Sequence, residues 1–420
     1  MIRRVALPPD PLALARALEG RDGLAVLASS PESAMREDDA RFSFVACEPV
    51  ETSDDLVPPA GALDAGYGGR RAAPRWIGCV PYESMRSLER RGAESRPAPR
   101  IGRSRWKRYD AVLRIDHATG EVAVEADDAA AAERLVRAAR RSPREARPVA
   151  LRAREGEPAS RHAERVAAAL ELIAAGDVYQ VNLARRLDFA LEGAPLDLFA
   201  TLFGKAPTPF GVFWEMDDDL AIIGTSPELA LEARGDFLRT APIKGTRPRG
   251  AHAEDDDAQR RELESSDKER AELVMAVDLH RNDLGRIARF GSVRVLGEPR
   301  TLASRTVWSR VREVVASREL AHDLSSVASA VLPCGSVTGA PKVRAMEIIA
   351  DLELHRRGLY TGAVGYVGRD GALVLAMAIR TAVVSRDSVE YFTGGGIVAG
   401  SDPAREVEET EWKARHLQTW

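Results

Sequence analysis

The sequence has few cysteines and no long apolar run, and each absence excludes a class of protein. Only three cysteines occur among the 420 residues, and their spacing fits neither a disulfide framework nor a zinc site. No segment approaches the run of about 18 apolar residues that a transmembrane helix needs. No apolar segment follows the basic N-terminus, so we expect no signal peptide and a cytoplasmic protein without membrane association.

The balance of charges argues against one class of partner. The chain has 60 basic and 64 acidic residues, a net charge of -4 at pH 7, and its arginines are interspersed with acidic residues. We therefore expect no binding to nucleic acid, which needs a basic surface. The apolar fraction of 45% is typical of a globular protein with an ample core, and the length allows about two to three domains or one composite domain.

The pattern of apolar runs changes along the chain. Residues 1–125 alternate short apolar runs with turns, which predicts a strand-rich N-terminal region packed on the core. Residues 126–160 form an alanine-rich helix and a connector without periodicity, and residues 161–420 form the main core region. Because strands and helices do not alternate strictly, we predict an α+β fold with largely antiparallel sheets rather than a doubly wound sheet.

Two predicted helices carry paired carboxylates. Glu269 and Glu272 lie three residues apart on a helix predicted over 268–281, and Glu406 and Glu409 are spaced likewise on a helix near the C-terminus. Residues three apart share a helix face, so each pair presents two carboxylates together. If the pairs converge they need a cation, and an all-oxygen site suits Mg²⁺. A solvated charged face is the alternative interpretation.

A lysine occupies what we interpret as a tight, substrate-facing turn, Pro242-Ile243-Lys244-Gly245-Thr246. An ammonium group in such a place must form an ion pair, bind an anion, or lose its proton and act as a nucleophile. Solvated lysines are common in glycine turns, so the motif alone leaves these alternatives open.

Two glycine-rich segments and one arginine indicate anion binding. Residues 335–342 precede a predicted helix and Gly394-Gly395-Gly396 follow a strand, and backbone amides at such ends can hold carboxylates or phosphates. The first segment lacks the spacing of a P-loop. Arg380 is predicted on an apolar strand over 373–381, where it either pairs internally or binds an anionic substrate. Tyr360 is a candidate hydroxyl donor to the same anion, or a core tyrosine.

Six segments follow one another in a fixed order: 176–183, 226–229, 242–250, 272–284, 335–342 and 394–413. This series closely resembles the chorismate-utilising enzymes, a family that includes anthranilate synthase, aminodeoxychorismate synthase, isochorismate synthase and salicylate synthase. Several long motifs in one order make the resemblance specific. It implies an α/β sandwich of two packed, largely antiparallel sheets flanked by helices.

The resemblance implies a magnesium site formed by the paired carboxylates. Glu272 and Glu409 match residues that bridge Mg²⁺ to the ring carboxylate of chorismate. Glu269 and Glu406 match residues that reach the metal through water.

The resemblance also implies how chorismate is held. Arg380 and Tyr360 match the pair that binds the enolpyruvyl carboxylate, with backbone amides of the segment from Gly394 to Gly396 nearby. Thr246 matches a residue that lines the ring. Fixing both anionic ends would position the ring for reaction.

Differences among family members indicate which reaction is catalysed. Members that add water have a lysine base where this chain has Gln180, and glutamine cannot deprotonate water. Anthranilate synthase usually has alanine where this chain has Lys244, and a lysine there resembles component I of aminodeoxychorismate synthase. The resemblance then implies that Lys244 attacks C2 of chorismate and that ammonia replaces the C4 hydroxyl, giving 4-amino-4-deoxychorismate for 4-aminobenzoate and folate. Glu228 matches the residue expected to move the protons.

At Ser309 the chain departs from the family pattern. The family usually has a histidine where this chain has Ser309, so protonation of the leaving hydroxyl depends on Glu228, Lys413 or water. None of the three cysteines lies in the glycine-flanked elbow of a glutaminase, so we expect ammonia from a separate glutamine amidotransferase subunit, or free ammonia.

Two other functions stay open at this point. One is anthranilate synthase component I, in which Lys244 would only line the pocket. The other is a non-catalytic homologue that binds chorismate, which Ser309 favours and which the presence of Lys244 and Glu228 opposes.

Overall fold

A computed structural model describes residues 1–61, 71–88, 96–154 and 156–418. The helices in these ranges are α1 (Pro11–Leu18), α2 (Glu37–Ala40), α3 (Ala129–Ala139), α4 (Ala159–Ala174), α5 (Pro195–Lys205), α6 (Ala253–Ser265), α7 (Asp267–Gly285), α8 (Leu324–Val331), α9 (Lys342–Leu352) and α10 (Pro403–Gln418). Short 3₁₀ helices span Pro31–Ser33, Tyr82–Leu88 and Gly335–Val337. The strands are β1 (Ile2–Val5), β2 (Ala25–Ala28), β3 (Phe42–Ala46), β4 (Glu51–Ser53), β5 (Pro74–Val80), β6 (Arg105–Arg108), β7 (Ala111–Asp116), β8 (Glu121–Ala126), β9 (Ala150–Ala153), β10 (Gln180–Glu192), β11 (Phe210–Asp217), β12 (Leu220–Ser226), β13 (Leu229–Arg234), β14 (Phe237–Ala241), β15 (Ile243–Pro248), β16 (Arg294–Val295), β17 (Arg300–Ala303), β18 (Val307–Val311), β19 (Val314–Ser317), β20 (Gly339–Ala340), β21 (Ala363–Gly368), β22 (Leu373–Met377), β23 (Thr381–Ser385) and β24 (Ser388–Ile397).

These strands form two large sheets and one small sheet. The first sheet has the strand order β1-β8-β7-β3-β2-β11-β12-β23-β24-β10-β20, with β9 also paired to β10. The second has the order β16-β19-β14-β13-β22-β21-β5-β6-β4, and β15-β18-β17 form the third. Neighbouring strands are antiparallel throughout the described residues. The predicted α+β fold with largely antiparallel sheets is confirmed.

Strands from the N-terminal region are inserted in both large sheets. In the first sheet β2 pairs with β11, and in the second β5 pairs with β21. The hydrogen bonds of both large sheets therefore join residues far apart in the sequence.

The two large sheets pack face to face. Phe44 on β3 of the first sheet meets Tyr366 on β21 of the second, with ring centroids 5.7 Å apart, inside one continuous apolar cluster. Helices cover the outer faces, since Leu135 of α3 packs on the first sheet and Leu273 of α7 on the second. Burying both faces of each sheet against apolar side chains provides the main stabilising term of the fold.

The strand predicted over 373–381 is wrong, because the chain changes sheets within it. Strand β22 ends at Met377 in the second sheet, and β23 begins at Thr381 in the first. Arg380 lies in the crossing and has a φ angle of 50°. Both strands are buried on both faces, so their apolar residues form a continuous run that hides the break.

Two other local predictions also need correction. The segment around Lys244 is not a tight turn but strand β15, which bulges at Gly245, where φ is 72°. The stretch predicted as a connector without periodicity contains strand β9, which pairs with the end of β10. The predicted helices at 268–281 and from 403 onward are present as α7 and α10, and residues 419–420 lie outside the described ranges.

No helix in the described part of the chain is long and apolar enough to cross a membrane.

Candidate active site

A cavity of about 270 Å³ lies where β15, β24, α7, α10 and the crossing at Arg380 meet. Of the residues named as site candidates from the sequence, those that line it are Glu228, Lys244, Thr246, Glu269, Glu272, Tyr360, Arg380, Gly394, Gly396, Glu406, Glu409 and Lys413. Gln180 and Gly395 are not among the lining residues. Gln180 is buried behind the wall, where its amide faces the Cα of Gly396.

The four glutamates enter the cavity from two helices. Glu269 and Glu272 lie in the first two turns of α7, whose N-terminus is capped by the Ser266 hydroxyl accepting the amide hydrogen of Glu269 at 3.3 Å. Glu406 and Glu409 lie on one face of α10. The helical spacing of the sequence therefore does place both pairs at one cavity.

Neighbouring side chains hold the outer two glutamates. The guanidinium of Arg247 donates to Glu269 at 3.1 Å, and the hydroxyl of Ser401 donates to Glu406 at 2.7 Å. Burial and the charge of Glu409 raise the pKa of Glu406, although the hydrogen bond from Ser401 opposes the shift.

The inner two glutamates, Glu272 and Glu409, have lysines as partners on their own helices. The Nζ of Lys268 lies 3.6 Å from Glu272, and the Nζ of Lys413 lies 2.6 Å from Glu409. Burial raises the pKa of Glu272, and the charge of Lys413 lowers the pKa of Glu409. The negative charge of Glu409 also raises the pKa of Glu272, so the two carboxylates interact electrostatically.

The carboxylates fit a Mg²⁺ ion that is only partly bound by protein. In the described residues no group of three or more His, Cys, Asp or Glu side chains is close enough to hold a metal by itself. Mg²⁺ often takes only one or two protein carboxylates and keeps several waters. A β-carbon at Gly395 would lie 2.9 Å from Glu406, and one at Gly245 would lie 2.9 Å from Glu269, so two glycines leave room for these groups. The donors are oxygens, the type Mg²⁺ prefers.

Lys244 points into the cavity from the bulged strand β15. Its Nζ donates to the backbone carbonyl of Ser336 at 2.9 Å. Burial lowers the pKa of Lys244, although the carboxylates of Glu228 and Glu272 oppose the shift. A lysine with a lowered pKa is closer to being a neutral, nucleophilic amine.

Glu228 lies in the short link between β12 and β13 and is buried. Its backbone is fixed at both ends, because its amide donates to the Ser226 hydroxyl at 3.3 Å and its carbonyl accepts from Met377 at 3.0 Å. Burial raises the pKa of the Glu228 carboxyl to about 7, with Lys244 and Ser336 opposing. Such a carboxyl can both give and accept a proton near neutral pH.

Arg380 and Tyr360 both line the cavity. Burial lowers the pKa of Arg380, and within the described residues its guanidinium has no carboxylate partner inside 4 Å. Of the two alternatives left open by the sequence, internal pairing is therefore not observed. The Tyr360 ring stacks on Phe392 with centroids 5.5 Å apart.

The glycine run ends strand β24 against β10. Gly394, Gly395 and Gly396 pair with Ala184, Leu183 and Asn182. A β-carbon at Gly394 would lie 2.4 Å from the Leu183 carbonyl oxygen, which explains why glycine is needed there. The carbonyl of Gly394 accepts from Lys413 at 2.9 Å.

A family model described as a chorismate binding enzyme matches residues 21–419. The chain belongs to this family. Anthranilate synthase component 1 of Streptomyces coelicolor is 38% identical to this chorismate-binding enzyme over 412 residues, which is 90% of this chain and 80% of that protein. Aminodeoxychorismate synthase component 1 of Bacillus subtilis is 42% identical over 248 residues, covering 59% of this chain and 53% of that protein.

Solved structures agree on the fold of this chorismate-binding enzyme. Anthranilate synthase component I of Streptococcus pneumoniae TIGR4 superposes with a TM-score of 0.78 at 27% identity, covering 93% of this chain and 95% of that one. MenF, the menaquinone-specific isochorismate synthase of Escherichia coli, superposes with a TM-score of 0.76 at 20% identity, over 100% and 94% of the two chains. The sandwich implied by the sequence is thus confirmed.

Sequence reasoning missed part of the site. Ser336 was included only as a member of a glycine-rich segment, yet it contacts both Lys244 and Glu228. Ser309 does line the cavity, on β18 opposite Thr246, and no histidine is among the described residues that line it. His280 is buried and contacts the Ser336 hydroxyl on the side away from the cavity. The helical pattern around His280 could not predict this contact.

Proposed function

We propose that this enzyme aminates chorismate at C4 and releases 4-amino-4-deoxychorismate, a precursor of 4-aminobenzoate and folate. The observation that carries the proposal is that Lys244 and Glu228 share one cavity and both have pKa values shifted toward neutrality. A substrate held there meets a potential nucleophile and a proton carrier together.

Chorismate binds through its two carboxylates. The guanidinium of Arg380 and the hydroxyl of Tyr360 receive the enolpyruvyl carboxylate, with the backbone of residues 394–396 beside them. Glu272 and Glu409 would hold Mg²⁺ against the ring carboxylate, with Glu269 and Glu406 ordering its waters. Mg²⁺ bound there would offset the negative charge of the ring carboxylate and both glutamates. Thr246 lines the ring, and Gln180 fixes the wall behind Gly396.

The first displacement forms the bond between Lys244 Nζ and C2 of chorismate. Both ring double bonds shift by one position, the bond from C4 to the hydroxyl oxygen breaks, and protonated Glu228 gives its proton to that oxygen, so that water leaves. The lysine nitrogen then carries the positive charge of a secondary ammonium. Attack requires Lys244 to be neutral, which the lowering of its pKa by burial favours.

The second displacement reverses the shift of both double bonds. Ammonia attacks C4, the bond from C2 to nitrogen breaks, and Lys244 leaves as a neutral amine. The Glu228 carboxylate accepts the surplus proton of the new C4 ammonium and is ready for another cycle. Chorismate and ammonia thereby give 4-amino-4-deoxychorismate and water, with both residues regenerated. Lys413, which contacts Glu409 and Gly394, stabilises the cavity wall and is a second candidate for moving protons.

We propose that ammonia comes from a separate glutamine amidotransferase subunit and that free ammonia replaces it in the test tube. Each of the three cysteines is buried, and burial raises their thiol pKa values, which does not suit a glutaminase nucleophile.

The test is to incubate the purified chain with chorismate, Mg²⁺ and ammonium and to identify the product by mass and ultraviolet spectrum. We expect aminodeoxychorismate from the wild type and none from Lys244→Ala. The exposed Lys205, at the end of α5, provides a matched control, and Lys205→Ala should keep full activity. Without ammonium, intact-protein mass spectrometry should detect a chorismate-derived adduct on the wild type but not on Lys244→Ala.

The names of the relatives favour a second candidate, anthranilate synthase component I, because most of the similar proteins bear that name. In that reaction ammonia adds at C2 and Lys244 only lines the pocket. Anthranilate as the product, with activity retained in Lys244→Ala, would establish this candidate instead. Mg²⁺-dependent binding of chorismate without turnover would indicate a non-catalytic homologue.

A further inference from the structure

A chain of three buried side chains leads from Glu228 away from the cavity. The hydroxyl of Ser336 lies 3.4 Å from Oε1 of Glu228, and Nε2 of His280 lies 3.0 Å from the same hydroxyl. On the far side, Nδ1 of His280 lies 2.6 Å from the hydroxyl of Thr240. The three residues come from the 3₁₀ helix at 335–337, from α7 and from β14, and all are buried.

The direction of these hydrogen bonds follows from the chemistry of Glu228. An ionised carboxylate only accepts, so the Ser336 hydroxyl must donate to it. Ser336 then has lone pairs but no hydrogen for His280, so Nε2 of His280 must carry the ring proton. Nδ1 is left as an acceptor, and the Thr240 hydroxyl donates to it. Each donor in the chain therefore points toward Glu228.

The histidine is neutral in this arrangement. Burial lowers the pKa of His280 to about 3, and the nearby charges of Lys342 and Lys244 act in the same direction. A neutral imidazole has one donor and one acceptor nitrogen, and the chain uses both.

We propose that His280 is a positioning residue for the reaction set out above: it holds the Ser336 hydroxyl as a permanent donor to Oε1 of Glu228. The proton that Glu228 gives and takes is then confined to its other oxygen. The backbone carbonyl of Ser336 accepts from Lys244, so one residue fixes both the proton carrier and the amine. No histidine lines the cavity in the described residues. His280 therefore acts on the cavity through Ser336, not by contact with the substrate.

The hydrogen bond from Ser336 also affects the titration of Glu228. Other groups that face this carboxyl are the cations of Lys244 and Arg380, the backbone amide of Ile243 and the thiol of Cys334. Burial raises the pKa of Glu228, whereas the donor from Ser336 favours the ionised form and limits the rise. Losing that donor removes the limit.

The first test observes the chain directly and needs no turnover. We would record ¹⁵N spectra of histidine side chains in the full-length protein and assign His280 with His280→Gln. We expect a neutral ring with its proton on Nε2 wherever the protein is folded. A proton on Nδ1, or a His280 that titrates near neutral pH, would overturn the proposal.

The second test measures the titration of Glu228 by infrared pH-difference spectroscopy, with its carboxyl band assigned by its loss in Glu228→Gln. We expect Ser336→Ala and His280→Phe to raise the midpoint by about one pH unit, the effect of one lost hydrogen bond to a carboxylate. Thr240→Val should raise it less, and Thr240→Ser should restore it. His322→Phe is the control, because His322 is not part of this series of hydrogen bonds. An unchanged midpoint in His280→Phe would contradict the proposal even if that variant is less active.

Kinetics separate this proposal from the proposed function. His280→Phe should lower kcat about tenfold, leave KM for chorismate unchanged, and move the pH limb that reports Glu228 upward with the infrared midpoint. If the wild type makes anthranilate but the midpoint still shifts, only the proposed reaction fails. If it makes aminodeoxychorismate and the midpoint stays, only the role of His280 fails.

Discussion

The Cα of Gly395 lies so close to the Glu406 carboxylate that a β-carbon there would come within 2.9 Å of Oε2. The same β-carbon would lie 3.6 Å from Oε1 of Glu409. A glycine in a buried strand weakens the strand, so its presence here calls for a reason. The reason is space, because the carboxylates of α10 rest directly on the backbone of β24.

We therefore predict that Gly395→Ala raises the Mg²⁺ concentration needed for half-maximal activity by about tenfold, a typical result of displacing a group beside a metal site. The control is Gly400→Ala, since nothing lies within 4 Å of a β-carbon at Gly400. Magnesium titrations of initial rate would measure both variants. If Gly395→Ala and Gly400→Ala titrate alike, the carboxylates of α10 do not form the magnesium site.

Within the described residues the guanidinium of Arg380 has no carboxylate partner, and this leads to a second prediction. Arg380→Lys should raise KM for chorismate roughly ten- to a hundredfold, because an ammonium cannot form the two parallel hydrogen bonds that a guanidinium gives to a carboxylate. Arg386→Lys is the matched control, since Arg386 also has a positive φ angle, 54°, but is exposed and paired with Asp219. Equal effects from both variants would mean that carboxylate binding by Arg380 is not responsible.

The buried ion pair of Arg357 and Glu353 lies next to residues that line the cavity. The guanidinium of Arg357 donates to Glu353 at 2.7 Å and to the carbonyls of Asn182 and Val337 at 2.7 and 3.0 Å. It also lies 5.6 Å from the centroid of the Tyr360 ring.

Arg357→Met should lower the free energy of unfolding by about 3–5 kcal/mol, because it leaves the Glu353 carboxylate buried without its charge partner. Adding Glu353→Met should recover much of that loss. Arg281→Met, which breaks an exposed pair with Asp278, should change stability by less than about 1 kcal/mol. Urea unfolding would measure all three, and a small loss in Arg357→Met would show that the pair is not a main support of the cavity.

The sequence predicted those parts of the site that depend on local periodicity or on a long motif. The glutamates of α7 and α10 follow from their spacing of three residues, and Lys244, Glu228 and Arg380 from family motifs. It could not predict that the chain changes sheets before Arg380, because two doubly buried strands share one apolar run. Nor could it predict the contacts of Ser336 and His280, which depend on how α7, β14 and residues 335–337 pack in three dimensions.

The buried Glu228 and the partly buried Glu215 allow a test of pH-dependent stability. Burial raises the pKa of both Glu228 and Glu215 from 4.5 to about 7, but Glu215 lies outside the cavity and accepts from the amide of Leu24. When a carboxyl has a higher pKa in the folded state, the folded protein binds more protons than the unfolded one between the two values. Stability is therefore lost as pH rises from about 4.5 to about 7.

We predict that Glu228→Gln removes part of this loss, on the order of 3 kcal/mol, the equivalent of a shift of about 2.5 pKa units. Glu215→Gln should remove a similar or smaller part, since Glu215 is less deeply buried. Urea unfolding at about pH 5 and about pH 8 would compare each variant with the wild type. Of the two variants, only Glu228→Gln should also abolish amination, because Glu228 lines the cavity with Lys244 and Glu215 does not. If the wild type and Glu228→Gln lose stability in parallel as pH rises, the carboxyl titrates normally and Glu228 has no proton to give at neutral pH.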